Sequence, residues 1–422
     1  MGFEKNFVLV IVVMVYVALI AWKKRRTEAL WVGVLALLVG RVLSPGEAIH
    51  AVEWNVLGIF AGILFVAEVF ADSGVPLRIA DLLIDRAKTV GGAILIVCLF
   101  SGFVSIFVEN VATVLIVAPV AMEVSRRAGV SPLPFLIGIA VSSNLQGAGT
   151  LIGDPPSMIL ASFQRMNFND FFFYQGKLSI FWSVQVGALA SAVVLWLIFR
   201  GHRQPVAFIE PAPVKSWLPT VAIVVMVVLL ALSPIFDPGF HWLGGTICMV
   251  IGLGLVAWEG VREKGKSAAL FRRFDWNTTA FLIGVFVLVE AMVHAGLIDD
   301  LAAGFASVTG DSPLVIYVSL VVFSVAVSAF VDNIPFITVM IPLVKEVATG
   351  VGTNEVPLIF GMVLGASLGG NITPFGASAN VVAVGLLRKQ GITVSTRDFL
   401  KIGLPFTLVA TAAGAAFLWL TW

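Results

Sequence analysis

The sequence is poor in charged residues and almost free of cysteine. Only 12% of its 422 residues are charged, whereas soluble domains carry about 25%. Its two cysteines, Cys98 and Cys248, each lie inside an apolar segment, which argues against a disulfide scaffold or a thiolate metal site. The positive residues sit in short loops between apolar runs and do not indicate nucleic-acid binding. We expect no cofactor, no resident metal, no enzymatic activity and no ATP-binding motif.

What the sequence has instead is long apolar stretches. Hydrophobic residues make up 59% of the chain and the mean hydropathy is +1.02, which predicts an integral membrane protein in which each span needs about 20 apolar residues. The first apolar run, Phe7–Trp22, is followed by the basic residues 23–26. Because a cleavable signal peptide carries its charges before the apolar run, we predict a retained first helix.

The apolar pattern predicts an all-α polytopic protein with ten membrane helices and two re-entrant hairpins. The helices are predicted at 6–22, 28–44, 52–72, 131–163, 178–200, 217–235, 240–258, 276–295, 356–387 and 402–421. The hairpins are predicted at 91–125 and 313–348, because each holds two arms that are short for a span. An amphipathic segment, Leu77–Ala87, is placed at the interface. Glycines and prolines interrupt two of the predicted helices, those at 131–163 and 356–387.

The two hairpins and the broken helices that follow them are versions of each other. Adding 223 to a residue number in the stretch Ser105–Val120 gives its counterpart in Ser328–Val344, so that Glu109 matches Asp332. Upstream the offset is 222, and Glu68 matches Glu290. We therefore predict a first repeat at 1–200, a linker at 201–216 and a second repeat at 217–422. Each repeat has an odd number of spans, so the two are expected to be inverted, as in many secondary transporters.

The distribution of positive charge supports this layout. Loops on one side of the predicted membrane hold 21 of the 26 Lys and Arg residues. By the positive-inside rule this side is cytoplasmic. The linker is therefore predicted in the cytoplasm and both termini outside. We expect the membrane to be a bacterial or archaeal cell (inner) membrane.

Polar residues concentrate at the hairpin tips and the helix breaks. Backbone groups that a break frees cannot stay unsatisfied in hydrocarbon, so these breaks must face protein or a wet cavity. Ionisable groups in membrane segments point to function. The candidates for substrate or ion binding are Glu109, Asn110, Asn144, Thr150, Asp332, Asn333, Asn371, Thr373 and Asn380. The candidates for proton coupling are Glu109, Asp154, Asp332, Glu68 and Glu290.

Each acidic candidate also has a structural interpretation. Asp154 precedes Pro155 and suits the N-cap of a helix, with or without an ion contact. Glu109 and Asp332 could cap the returning helix of each hairpin, although the adjacent asparagines could do the same. Glu68 and Glu290 could bond broken backbone. Both interpretations remain open for each residue.

The paired motifs FVENVATVLIVAP…GTLIGDPPSMI and AFVDNIPFITVMIP…LGGNITPFGASANVV resemble the ion transporter superfamily. Within it, the chain is most similar to the branch of the arsenical pump membrane protein, the NhaD-type sodium/proton antiporters and the P protein. The resemblance implies a scaffold domain, with the helices at 6–22, 28–44, 52–72, 217–235, 240–258 and 276–295. It also implies a transport domain of hairpins and broken helices that moves like an elevator.

The substrate is open at this point. The dicarboxylate-transporting relatives carry Ser-Asn-Thr at both tips, whereas this chain carries Glu-Asn-Val and Asp-Asn-Ile. Two tip carboxylates would repel a dianion, and the core segments show no arginine to compensate. Proton-coupled efflux of arsenite and antimonite is therefore the first expectation, Na⁺ (or Li⁺)/proton antiport the second, and anion or carboxylate transport the third. A soluble ATPase partner and a homodimer remain open, and a channel or an intramembrane enzyme is disfavoured.

Overall fold

The computed structural model describes residues 2–22, 25–206 and 212–422. It is nearly all helical. The helices of the first half are α1 (Phe3–Ala21), α2 (Arg26–Val39), α3 (Pro45–His50), α4 (Trp54–Asp72), α5 (Val75–Ile84), α6 (Val90–Ser105), α7 (Asn110–Ala128), α8 (Leu133–Gly147), α9 (Pro155–Gln164) and α10 (Ile180–Phe199). Those of the second half are α11 (Leu218–Leu232), α12 (Leu243–Arg262), α13 (Lys266–Arg273), α14 (Trp276–His294), α15 (Leu297–Thr309), α16 (Pro313–Ser328), α17 (Asn333–Val351), α18 (Glu355–Gly369), α19 (Ser378–Lys389) and α20 (Thr396–Thr421).

The described residues contain nine helices that are long and apolar enough to cross a membrane, or up to ten if one bent pair counts as a span. This confirms the predicted polytopic helical fold. The bounds differ in detail. The second helix ends at Val39 and not at residue 44, because Arg41 adopts a left-handed φ of 57°. The last helix begins at Thr396 and not at residue 402, with Ser395 accepting a hydrogen bond from the Asp398 N–H as its N-cap.

Each predicted hairpin segment contains two helices joined by a short tip, although α17 alone is long and apolar enough to cross a membrane. The first joins α6 to α7 and the second joins α16 to α17. Both predicted breaks are present as well: α8 ends before α9 begins at Pro155, and α18 ends before α19 begins at Ser378. Four short elements were not predicted. They are α3, α13 and the two strands β1 (Phe173–Tyr174) and β2 (Lys177–Leu178), which pair as a hairpin.

Four of the helices that are predicted to form the scaffold pack at glycines that occupy matching positions in the two halves. A Cβ on Gly62 of α4 would lie 2.2 Å from the carbonyl carbon of Cys248 in α12. In the matching place, a Cβ on Gly284 of α14 would lie 2.9 Å from the Leu30 side chain in α2. Only glycine allows such close approach of helices. The two helix pairs therefore approach at matching glycines, against backbone for α4 and α12 and against the Leu30 side chain for α14 and α2.

The segment after each of these helices also repeats. Gly74 and Gly296 adopt positive φ values of 79° and 68° and start α5 and α15. The amphipathic segment predicted at 77–87 corresponds to α5. The sequence prediction overlooked α15, although Leu297 lies 222 residues after Val75.

The prediction that the chain has no ATP-binding motif needs a correction. The letters of a P-loop, GxxxxGK[ST], occur at Gly260–Ser267. A P-loop joins a strand to a helix and wraps a phosphate, whereas these residues comprise the end of α12, a short turn and the start of α13. The Lys266 ammonium pairs with Asp72 at 2.8 Å, and the Ser267 hydroxyl donates to the Val256 carbonyl at 2.8 Å. The pattern here is therefore a turn between two helices and not a nucleotide site.

Candidate functional site

A cavity of about 840 Å³ lies between helices α1, α2, α4 and α14 and the two hairpin tips. Its polar and charged lining residues are Arg26, Glu68, Glu109, Asn110, Asn144, Asp154, Arg273, Asp275, Asn277, Thr278, Asp332, Asn333, Ser367 and Ser378. The exposed residues Arg273 and Asp275 lie at its rim. The linker reaches the same end of the bundle, because the Lys215 N–H donates to the Ser73 carbonyl at the end of α4. The mouth of the cavity is therefore on the linker side.

The acidic residue at each hairpin tip caps the returning helix. The Glu109 carboxylate accepts hydrogen bonds from the backbone N–H groups of Val111 at 2.8 Å and Ala112 at 3.1 Å. The Asp332 carboxylate accepts one from the Ile334 N–H at 3.1 Å. Caps of this kind satisfy N–H groups that a helix start leaves free. Both carboxylates also line the cavity, so each can cap its helix and contact a ligand at the same time.

The asparagine beside each tip carboxylate has a different task. The Ser105 hydroxyl donates to Asn110 Oδ1 at 2.6 Å, and the Ser328 hydroxyl donates in the same way to Asn333 Oδ1. These bonds tie the start of the second hairpin arm to the end of the first. Their recurrence in both halves explains how each tip keeps its shape with so few residues.

Asp154 is buried and caps the second part of the first broken helix. Its side chain is 3% exposed and accepts hydrogen bonds from the Ser157 N–H at 3.1 Å and the Ser157 hydroxyl at 2.9 Å. Pro155 follows at the first helical position, where a missing N–H costs nothing. The predicted N-cap is confirmed. Asp154 also lines the cavity, whereas its counterpart in the second half is Ala377.

Three buried asparagines connect the two broken helices. The Asn144 amide donates to Asn371 Oδ1 at 2.8 Å and to Asn380 Oδ1 at 3.0 Å. Asn380 in turn donates to the carbonyls of Gly370 and Thr373 at 2.8 and 2.9 Å. The second break is thus stabilised by amides from both halves. Of the three, Asn144 alone lines the cavity among the described residues.

Two threonines hold the breaks against the hairpins. The hydroxyls of Thr150 and Thr373 each donate at 2.5 Å, to the carbonyls of Ile106 and Ala329 respectively. All four positions are related by the 223-residue offset. Thr150, Asn371, Thr373 and Asn380 lie behind the cavity wall in this structure, whereas Glu109, Asn110, Asn144, Asp332 and Asn333 face it.

The two matched glutamates lie in different surroundings. Glu68, near the end of α4, lines the cavity. Glu290, in the last part of α14, is exposed and lies outside the described cavity lining. The structure therefore brings Glu68 together with the tips and does not bring Glu290 there.

The prediction that no arginine compensates the tip carboxylates is wrong. Arg26 forms an ion pair with Asp332, and Arg273 lines the same cavity. Both sit in runs of basic residues outside the apolar segments, a pattern that predicts solvated loops. Sequence reasoning also missed Asp275 and Ser367. The repeat offset could have found Ser367, because it is the counterpart of Asn144.

The cavity is acidic despite its arginines. Five carboxylates line it, from Glu68, Glu109, Asp154, Asp275 and Asp332, against the two guanidinium groups of Arg26 and Arg273. With every group ionised the described lining carries a net charge of −3, because five negative charges oppose two positive ones. Such a lining attracts cations and protons and disfavours an uncompensated dianion.

The cysteines lie away from the cavity. Cys98 packs on Gly138 and Cys248 packs on Gly62, and both are fully buried. Within the described part of the chain, no group of three His, Cys, Asp or Glu residues is arranged to hold a metal ion.

The fold and the comparisons with known proteins define a multi-pass membrane transporter. The structure is similar to the crystal structure of the Alcanivorax borkumensis YdaH transporter, with a TM-score of 0.61 and 14% identity over 99% of this chain and 97% of that chain. This likeness concerns the fold alone. A family model described as citrate transporter (CitMHS) matches residues 15–360 and 245–422. The chain belongs to this family.

The related sequences are transporters and membrane proteins. The chain is 30% identical over 401 residues to an uncharacterized transporter of Mycobacterium tuberculosis, covering 91% of each. It is 28% identical over 427 residues to a 46 kDa membrane protein of Mycobacterium leprae, covering 97% of this chain and 96% of the other. It is 25% identical over 492 residues to the human P protein, covering 96% of this chain and 58% of that protein. The expected likeness to the P protein is confirmed.

Proposed function

We propose that the protein is a cation-coupled secondary transporter whose cavity carboxylates exchange protons, or Na⁺, for a small solute. The observation that carries the proposal is the convergence of five carboxylates and both hairpin tips on one cavity. Carboxylates in membrane segments are costly and mark ion or proton pathways. A cavity that alternates between the two sides of the membrane would carry these groups, with their protons or ions, from one side to the other.

Glu109, Asp154 and Asp332 are the proposed coupling groups. Each accepts backbone hydrogen bonds at a helix start, so each is held in place while it gains or loses a proton. Asn110, Asn144 and Asn333 supply neutral donors and acceptors on the same wall. Glu68 adds a further carboxylate near the mouth.

We propose that a transport domain moves against a scaffold domain in an elevator-like manner. The cavity lies at the boundary between α1, α2, α4 and α14 on one side and the tips and broken helices on the other. Rigid-body movement of the hairpin tips and broken helices would carry the cavity from one side of the membrane to the other. We place the linker side in the cytoplasm of a bacterial inner membrane, since the basic loops gather there.

The acidic lining favours a neutral or cationic solute. A trihydroxide of arsenic or antimony bears no charge and would be recognised by hydroxyl hydrogen bonds to the asparagines, since no described lining residue is a cysteine. A Na⁺ or Li⁺ ion would bind the carboxylates directly. The amide oxygens and the Ser367 hydroxyl, which is buried and has no hydrogen-bond partner among the described residues, would complete its coordination.

One observation favours a carboxylate solute as the second candidate. Arg26 and Arg273 place two guanidinium groups in the cavity, and arginine recognises carboxylates in bidentate fashion. The name of the family, citrate transporter, agrees with this candidate. The net negative lining requires that such an anion enter together with cations or protons.

Flux in proteoliposomes under an imposed pH gradient tests the proposal. Arsenite, Na⁺ and citrate are offered separately while an internal dye reports proton movement. We expect one of the three to move protons in wild type, and we expect Glu109→Gln or Asp332→Asn to abolish that coupling. Glu123→Gln is the matched control, because Glu123 lies on α7 and pairs with Arg126 and Arg127 away from the cavity. Proton movement that survives in Glu109→Gln, Asp154→Asn and Asp332→Asn alike would refute the assignment of the coupling groups.

A further inference from the structure

We propose that Arg26 is a one-sided latch: its ion pair with Asp332 fastens the second hairpin tip to the scaffold only while the cavity opens on the linker side. The inference rests on the proposed alternating-access function. It assigns a positioning residue to the transport cycle, distinct from the coupling carboxylates.

Arg26 is held by the scaffold independently of the hairpin. Its guanidinium donates to the Thr278 hydroxyl at 3.4 Å and lies 4.9 Å from the centre of the Phe281 ring. Both partners belong to α14. The side chain is 21% exposed, so water screens the ion pair only in part. The charge is therefore presented to Asp332 from a fixed position.

A second contact fastens the same hairpin to the scaffold. The partly buried Tyr16 hydroxyl of α1 donates to the carbonyl of Pro335, in the first turn of α17, at 2.9 Å. The other tip lacks such an ion pair: Glu109 forms none with a described residue, and its carboxylate accepts only backbone N–H groups in the described structure. The two tips thus have the same shape and different attachments.

The internal repeat identifies the counterpart of Arg26 in the second half. The Thr27 hydroxyl donates to the Asn277 carbonyl at 3.3 Å, and the Gly245 N–H donates to Asn55 Oδ1 at 2.6 Å. Asn55 and Asn277 are counterparts at the 222-residue offset. Thr27 therefore matches Gly245, an offset of 218. The glycine contacts agree, because Leu30 and Cys248 differ by the same 218 and pack on Gly284 and Gly62.

In this register the counterpart of Arg26 is Gly244, which has no side chain. When two inverted repeats exchange their conformations, each half takes the arrangement that the other had. The alternate state would then bring Glu109 beside Gly244 where this state has Asp332 beside Arg26. No ion pair can form there. The Arg26–Asp332 ion pair is present in one state and has no equivalent in the other. It therefore favours the state in which the cavity opens on the linker side.

The test measures the population of the alternate state by cysteine labelling in liposomes, with Cys98→Ala and Cys248→Ala as background. Val381 lines the present cavity and is 52% exposed. Its counterpart, Met158, is 1% exposed and would be exposed on the opposite side after exchange. An impermeant maleimide is applied to Met158→Cys from the opposite side and to Val381→Cys from the linker side. Neither measurement needs a substrate.

Arg26→Gln should raise the labelling rate of Met158→Cys about fivefold or more, and Asp332→Asn should do the same. Labelling of Val381→Cys should change less than twofold, because the present state remains the major one. Arg26→Lys should retain part of the effect of arginine, and the exchange Arg26→Asp with Asp332→Arg should restore the wild-type rate. Arg25→Gln is the matched control, since Arg25 is the exposed neighbour one residue earlier.

The outcomes separate this proposal from the proposed function. A Met158→Cys rate that is measurable but equal in wild type and Arg26→Gln overturns the latch and leaves alternating access standing. A rise of the same size in Arg25→Gln also overturns it, since general loss of charge would then be the cause. If Met158→Cys stays unlabelled in every variant while Val381→Cys reacts, alternating access itself fails and the latch with it.

Discussion

Removing the Asn144 amide should destabilise the centre of the protein. In Asn144→Ala, Asn371 Oδ1 and Asn380 Oδ1 each lose a donor at 2.8 and 3.0 Å. Hydrogen bonds between membrane helices contribute on average about 0.6 kcal/mol and at most about 1.7 kcal/mol, and a buried acceptor left unsatisfied costs about 1–3 kcal/mol. For two lost bonds we expect the free energy of unfolding to fall by about 1–3 kcal/mol.

Asn144→Asp separates hydrogen bonding from packing. It keeps the shape of the side chain but replaces the donating amide by an oxygen that faces two other oxygens. We therefore expect Asn144→Asp to lose more stability than Asn144→Ala. Unfolding in a mild detergent, followed by denaturant titration, measures both variants against wild type. An aspartate variant more stable than the alanine variant would refute the assigned direction of these bonds, and an unchanged alanine variant would show that the network does not stabilise the fold.

Two further outcomes follow from the packing and the loops. Gly62→Ala should greatly reduce folded yield in size-exclusion chromatography, because its Cβ would lie 2.2 Å from the backbone of Cys248, whereas Gly254→Ala on α12 meets nothing within 4 Å and should fold normally. Burial alone would raise the pKa of Asp237, but the N–H groups of Leu243, Trp242 and His241 outweigh it and hold this pKa below its ordinary value. The stability that this carboxylate contributes is present above the ordinary aspartate pKa of about 3.9 and lost as the pH falls through its lower folded pKa. Thermal unfolding of Asp237→Asn should accordingly depend less on pH in that range, and an unaltered acid dependence would contradict the assignment.

The repeat offset explains why so much of the fold could be predicted. Glycine, proline and polar residues are rare in apolar segments, so matched pairs such as Thr150 and Thr373 or Gly153 and Gly376 fix the alignment of the halves. The same pairs make matched contacts: Cβ atoms on Gly153 and Gly376 would lie 2.3 and 2.6 Å from the carbonyl oxygens of Gly147 and Gly370. The local sequence was therefore sufficient to predict the positions of the hairpin segments and the helix breaks.

The cavity was harder to predict because its charges come from distant segments. Arg26 and Asp332 are 306 residues apart, and a basic run next to a membrane helix ordinarily indicates a solvated loop. Nothing in the run distinguishes Arg26, which turns inward, from Arg25, which is exposed. The direction of a side chain at a helix start depends on what packs beside it, here Thr278 and Phe281 of α14.

Several of the residues that line the cavity differ between the halves. The serine bonds to Asn110 and Asn333, and the bonds of Thr150 and Thr373 to hairpin carbonyls, recur in both halves and do not by themselves favour one arrangement. In the repeat, the counterpart of Asp154 is Ala377, that of Asn144 is Ser367 and that of Arg26 is Gly244. An interaction that is equal in two states cannot shift the equilibrium between them. If the halves exchange conformations during transport, differences between counterpart residues such as these make the cavity bind its cargo differently on the two sides. The test of conformation is therefore directed at Arg26, and the test of transport includes Asp154.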